Sequence, residues 1–92
     1  MKIMSTWSGK PGTMREGIQR FLAGQGTPPE GVKTLGRWHA ADFSCGFTLS
    51  ETDNPVALYE NAAKWADVLD IKGHVVIEDA EAGPILARIF GK

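Results

Sequence analysis

A chain of 92 residues with a hydrophobic share of 42%, a charged share of 23% and a formal net charge of −1 has the makeup of an ordinary globular protein, expected to form one domain over residues 1–92. Its charges are scattered, so it lacks the concentrated basic face that displaces counterions from phosphates, and no stretch approaches the roughly 20 apolar residues of a membrane helix. These features argue against nucleic-acid and membrane partners. Residues 1–7 also lack the apolar core of a signal peptide, and Cys45 is the single cysteine, so the cytoplasm is the expected compartment.

Residues 1–8 have the alternation of a strand, with Ile3, Ser5 and Trp7 on one face and Met4, Thr6 and Ser8 on the other. Gly9-Lys10-Pro11-Gly12 stops it. Met14, Ile18, Phe21 and Leu22 then recur at helical spacing, with Thr13 as the expected N-cap and Glu16 as its capping-box partner. Gly24 and Gly26 end that helix, and residues 27–31, with two prolines, form a loop. Residues 32–39 and 45–51 follow as the strands of a hairpin, turning through Ala41-Asp42-Phe43-Ser44.

Asn54 and Pro55 mark the clearest boundary. Asn54 caps the free N–H groups of a helix, and Pro55 takes the first helical position, where its missing donor costs nothing. Leu58, Ala62, Trp65 and Leu69 give that helix an apolar stripe running to about Leu69. Residues 71–78 carry the β-branched run Val75-Val76-Ile77 of a strand. Asp79–Phe90 is a short amphipathic helix, beginning either at its first residue with an irregular turn or at Gly83-Pro84. The order β-α-β-β-α-β plus a C-terminal helix is the ferredoxin-like arrangement of the α+β class, with helices on one face of the sheet only.

Strand alternation also sorts candidate site residues. It groups Val32, Thr34, Gly36 and Trp38 against Leu35, Arg37 and His39, and Cys45, Phe47 and Leu49 against Gly46, Thr48 and Ser50. Burying the apolar sets places Trp38, Phe47 and Leu49 under the helices and leaves Arg37, His39, Thr48 and Ser50 on the helix-free face. A one-residue slip exchanges the two faces. Arg37 offers a planar fork for a carboxylate and His39 moves a proton near neutral pH, so this set suits a small anionic or carbonyl-bearing ligand. Trp7 and Trp38 join it as ligand-binding candidates, and Trp7, Trp38 and Trp65 supply apolar walls or core.

Plainer roles compete with these. Arg37 would pair with Glu51 or Asp53, Trp38 would be core, and His39 would be satisfied by a carbonyl. Cys45 is most simply a small hydrophobe. His39, His74 and Cys45 have no metal-site spacing, and no cofactor motif is legible, so neither metal nor cofactor is expected. The carboxylates Glu51, Asp53, Glu78, Asp79 and Glu81 fall at solvated element ends, which does not suit general acid–base work.

Thr6-Trp7-Ser8, Pro28-Pro29-Glu30-Gly31-Val32, Leu35-Gly36-Arg37-Trp38-His39 and Glu51-Thr52-Asp53 together resemble a small bacterial family known as a domain of unknown function, number 3303, over roughly residues 1–79. The resemblance implies a dimeric α+β barrel, two ferredoxin-like sheets packed face to face around a shared interior. It implies no activity. Other barrels of this architecture include monooxygenases, haem-degrading enzymes, isomerases and ligand binders, an analogy of fold that does not fix function. The leading expectation is therefore a homodimer holding a small organic or anionic ligand in the barrel interior, with catalytic residues unassigned. A monooxygenase-like or isomerase-like enzyme using His39 as its acid–base group, and a purely structural interaction dimer, are the alternatives.

Overall fold

The computed structural model describes residues 1–91. Four strands, β1 (Lys2–Gly9), β2 (Lys33–His39), β3 (Gly46–Glu51) and β4 (Leu69–Val76), form one sheet in the order β2-β3-β1-β4, every neighbouring pair antiparallel. Three helices, α1 (Met14–Arg20), α2 (Pro55–Trp65) and α3 (Asp79–Phe90), complete the expected order, with a π-helical turn, Phe21–Gln25, continuing α1. This is an α+β fold of the ferredoxin-like kind, with an open sheet. No helix among the described residues is long and apolar enough to cross a membrane.

Local chemistry explains most of the element ends. The Asn54 side chain accepts the N–H groups of Val56 (3.1 Å) and Ala57 (3.3 Å), with Pro55 at the start of α2. Gly24 closes the π-helical turn at φ 85°, in the left-handed region that glycine enters at little cost. The β2–β3 turn is held by Asp42, whose carboxylate accepts both the Ser44 N–H (3.1 Å) and its hydroxyl (2.6 Å). Those bonds hold the Asp42 carboxyl below its ordinary pKa, and Phe43 next to it has φ 68°.

Three expectations are corrected, and an open choice between two starts of α3 is resolved. Thr13 stands at the N-cap of α1 as expected, but its side chain makes no cap and no capping box forms: its hydroxyl is directed at the carbonyls of Lys10 (2.9 Å) and Val68 (3.1 Å), while Glu16 pairs with Arg20 (3.1 Å). Leu22 is solvent-facing, because α1 ends at Arg20 and the wider π turn rotates it off the apolar stripe. α2 stops at Trp65, so Leu69 already belongs to β4. α3 begins at Asp79 and runs through Pro84; the Glu81 carboxylate accepts the Glu78 N–H (3.4 Å), and the N–H groups of Glu81 and Ala82 both reach the Glu78 carbonyl at 2.9 Å. Strand ends also shift by one or two residues from those expected, as end residues commonly do.

The apolar core is small: Ile3, Ala57, Trp65 and Val68 are buried. Thr52 is a buried polar hub, donating its hydroxyl to the Gly31 carbonyl (2.7 Å) and accepting the Asn54 N–H (3.0 Å). α3 buries none of its residues. The chain accordingly measures 54 × 30 × 18 Å, with a radius of gyration of 15.8 Å where a compact chain of this length has ~12 Å.

Candidate functional site

Register decides which residues meet on the helix side of the sheet. In the central strand β1, Ile3 lies opposite Ser50 and Val75, Ser5 opposite Thr48 and Gly73, and Trp7 opposite Gly46 and Ile71. A bulge in β2 between Thr34 and Gly36 absorbs Leu35, so Thr34 lies opposite Ser50 and Arg37 opposite Thr48. Thr34, Arg37, His39, Thr48 and Ser50 therefore share one face with Ile3 and Trp7. That face looks toward α1 and α2 across a cavity of about 500 Å³.

This reverses the expected orientation of the sheet. Arg37, His39, Thr48 and Ser50 lie under the helices, not on the helix-free face. Trp38, Phe47 and Leu49 lie on the helix-free face with Met4, and Trp38 is 54% exposed. Trp38 is thereby removed from the candidate site. Alternation within each strand separates the sets correctly except at the bulge, which moves Thr34 to the side of Arg37. The rule that apolar residues face the helices is what fails: in β2 and β3 the helix side lines a cavity, while the apolar set lies outside.

Five of the six candidates line the cavity: Trp7, Arg37, His39, Thr48 and Ser50. On its floor the Trp7 indole N–H donates to the Thr48 hydroxyl at 3.0 Å. The His39 ring meets Trp7 edge-on (centroids 5.3 Å apart, planes at 80°) and Phe21 likewise (5.8 Å, 68°). Arg37 donates through Nη2 to the Gly26 carbonyl (2.6 Å), and its guanidinium lies 5.4 Å from the Phe21 ring centroid. Neither Glu51 nor Asp53 pairs with it; Asp53 is taken by the N-terminal ammonium (3.0 Å). His39 donates to no carbonyl among the described residues either.

The opposite wall comes from helix residues whose spacing suggested only core packing. Met14, Ile18 and Phe21 descend from α1 and its π turn, and Leu58, Ala62 and Trp65 from α2. Met14, Ile18 and Phe21 are each at least 40% exposed, because they stand over a cavity instead of closing on the sheet. The helical periodicity is the sequence signal that finds them; nothing in it tells a filled core from a hollow one. Trp65 is held from outside by Arg20, whose guanidinium lies 5.8 Å from its ring and pairs with Asp67 and Glu16. Cys45 is half-buried at the cavity edge, whereas His74 lies opposite Met4 on the other face, which separates it from His39.

The lining is chemically lopsided. It contains no Asp, Glu or Lys side chain, so Arg37 is its one permanently charged side chain among the described residues. A smaller cavity of about 270 Å³ adjoins it beneath the π turn, sharing Phe21, Thr34 and Arg37. No group of three or more His, Cys, Asp or Glu residues able to hold a metal occurs among the described residues.

Fold and site together define a ferredoxin-like α+β domain with a cavity between its helices and its sheet, in the size range of small-molecule pockets, about 300–1,000 Å³. The chain belongs to the family Domain of unknown function (DUF3303), whose sequence model matches residues 1–90 and so takes in the Gly83-Pro84 segment as well. Comparisons with curated proteins and with solved structures gave no match.

Proposed function

We propose that this protein binds a small organic ligand in the cavity between α1, α2 and the sheet, and that it does so as a homodimer. The observation that carries the binding reading is Arg37: a permanent charge in a cavity lined otherwise by uncharged polar, apolar and aromatic side chains, with a backbone carbonyl as its hydrogen-bond partner. Arg37 is half-buried, and a charge drawn partly out of water is stabilised by an opposite charge beside it, which a ligand group supplies. Thr48, Ser50 and His39 add polar positions along the same floor. The test is native mass spectrometry of the purified chain and of an Ala62→Phe variant, which fills the cavity from α2 without adding charge. A bound small molecule lost in the variant supports the reading; a ligand retained in the filled variant refutes it.

Dimerisation is supported by the other side of the sheet. Met4, Trp38 and Phe47 make an exposed apolar centre there, and extended apolar surface of this kind marks an interaction site. Lys2, Lys33 and Lys72 share that face with Glu51 and Asp70, so both signs of charge surround the apolar centre, Lys2 and Asp70 also pairing within the chain with Glu78 and Lys10. A second copy is the occupant that this apolar centre with its mixed-charge rim fits, and it also gives the exposed apolar residues of α3 something to pack on.

An enzymatic reading has one specific observation behind it. His39 lies edge-on to two aromatic rings at the open side of the cavity, and its ring nitrogens make no hydrogen bond among the described residues. That leaves them free to exchange a proton with a bound molecule. Replacing His39 with Gln should then abolish turnover even when substrate saturates the site; unchanged turnover at saturation removes His39 from the chemistry.

A further inference from the structure

We infer that the ligand is a flat, unsaturated or aromatic monocarboxylate, seated with its carboxylate on Arg37 and its ring against Trp7 and His39. This rests on the binding reading above and goes further, by fixing the charge and shape of what is bound.

Charge comes first. One guanidinium, no lysine and no acid side chain in the lining, with the Met1 ammonium already paired to Asp53, leave a local balance of one positive charge, which a carboxylate neutralises. A phosphate monoester brings about −1.5 to −2 charges and three acceptor oxygens. One arginine, already donating to Gly26, leaves that excess charge in an apolar cavity. A neutral ligand leaves the guanidinium with only the Gly26 carbonyl.

Geometry points the same way. A guanidinium carries five N–H donors in a planar fork that matches the two oxygens of a carboxylate. Arg37 spends one of its donors on Gly26 and has no other protein partner among the described residues. The Phe21 ring centroid lies 5.4 Å from the Arg37 guanidinium carbon, so a ligand reaches the guanidinium from the other sides.

Shape follows from the aromatic chain. Phe21, His39 and Trp7 meet edge-to-face in succession, so the neighbouring surface is a row of ring faces and edges with fixed angles. The Trp7 indole is fixed further by its bond to Thr48. Rings favour offset or edge contacts with other rings at centroid separations of about 4.5–7 Å. A planar conjugated body satisfies this wall better than a branched aliphatic one, and the Trp65 side of the cavity covers its far face.

The test is calorimetric titration of the full chain with 2-naphthoate and with 2-naphthamide, which have the same size and planarity and differ in charge. At least a tenfold preference for the naphthoate is expected, falling to near parity in Arg37→Gln. Naphthyl phosphate should bind more weakly than naphthoate. Equal binding of naphthoate and naphthamide to the unaltered chain overturns the carboxylate assignment and leaves cavity binding standing. If neither binds, while a co-purified molecule is still lost in Ala62→Phe, the ligand class is wrong and the cavity reading survives. If neither binds and the filled variant changes nothing, both fall. Because the naphthoate-to-naphthamide ratio is read on the unaltered chain, the outcome does not depend on the Arg37 variant folding.

Discussion

The indole of Trp7 occupies the space where a side chain at Gly46 would stand: a Cβ built on Gly46 collides with three of its ring carbons, Cζ2, Cη2 and Cε2. The two residues face each other across the β1–β3 ladder, so the absence of a side chain at one position lets the largest side chain lie down at the other. Trp7 is thereby laid along the cavity floor, where its N–H reaches Thr48 and its ring meets His39.

Gly46→Ala should therefore displace Trp7. Inserting a methyl group into occupied space costs about 1–3 kcal/mol, and the indole resonance and near-ultraviolet dichroism should change with it. A variant of unchanged stability and spectrum means that the ring does not lie as described.

Thr48→Val keeps the shape of the floor and removes the acceptor for the Trp7 N–H. The expected loss is about 1 kcal/mol, or about 4–8 °C in melting temperature for a domain of this size. Ligand affinity should fall as well, because the indole is no longer fixed. A melting temperature equal to that of the unaltered chain argues against the hydrogen bond.

At the start of α2, Asn54→Ala removes a side chain that holds two N–H groups. The cost of a lost N-cap is about 0.5–2 kcal/mol, whereas Asn54→Asp should be nearly neutral, since the acid caps equally well. Thermal unfolding of the pair separates capping from a generic loss of polarity.

Arg20 and Asp67 give the fold a modest pH dependence. Hydrogen bonding from Arg20 holds the Asp67 carboxyl below its ordinary pKa. The folded value is then lower than the unfolded one, so the stabilisation is fully present above the unfolded pKa of about 4 and is lost as pH falls through the folded value. The Asp67 side chain is exposed, which keeps the effect small and sensitive to salt. Asp67→Asn should lower the melting temperature near neutral pH and match the unaltered chain in strong acid; a constant difference across that range contradicts the linkage.

Trp38→Glu places a charge at the apolar centre of the helix-free face. Sedimentation should show the unaltered chain as a dimer and this variant as a monomer, with cavity binding retained. Dimers of equal strength in both would remove that face from the interface.

The element order was legible because its punctuation is chemical: Gly24 closes a left-handed turn, and Asn54-Pro55 opens a helix whatever surrounds it. The pairing of site residues was legible too, since Trp7, Thr48 and Ser50 follow strand alternation without interruption. The side of the sheet they occupy was not. Trp38, Phe47 and Leu49 are more apolar than Arg37, His39 and Thr48, and burial of the apolar set is the sound default for an isolated chain. A sheet with a hollow on one side and apolar surface on the other inverts that default. The bulge at Leu35 was not legible either, although Gly36 beside it is a residue that often marks a bulge inside a strand, because a lone strand glycine fits several other roles as well. Thr13 misleads for a different reason: its hydroxyl answers to Val68, a residue 55 positions away that no local capping pattern contains.

The three tryptophans provide the most direct test of the central claim, that the site lies under the helices. Trp7 and Trp65 line the cavity, and Trp38 lies on the opposite face. In a ¹H–¹⁵N correlation spectrum their indole N–H signals, assigned by single Trp→Phe replacements, report on the two faces separately. Titration with a bound ligand should move the Trp7 and Trp65 signals and leave that of Trp38 in place. Movement of Trp38 alone would put the ligand on the helix-free face and contradict the account.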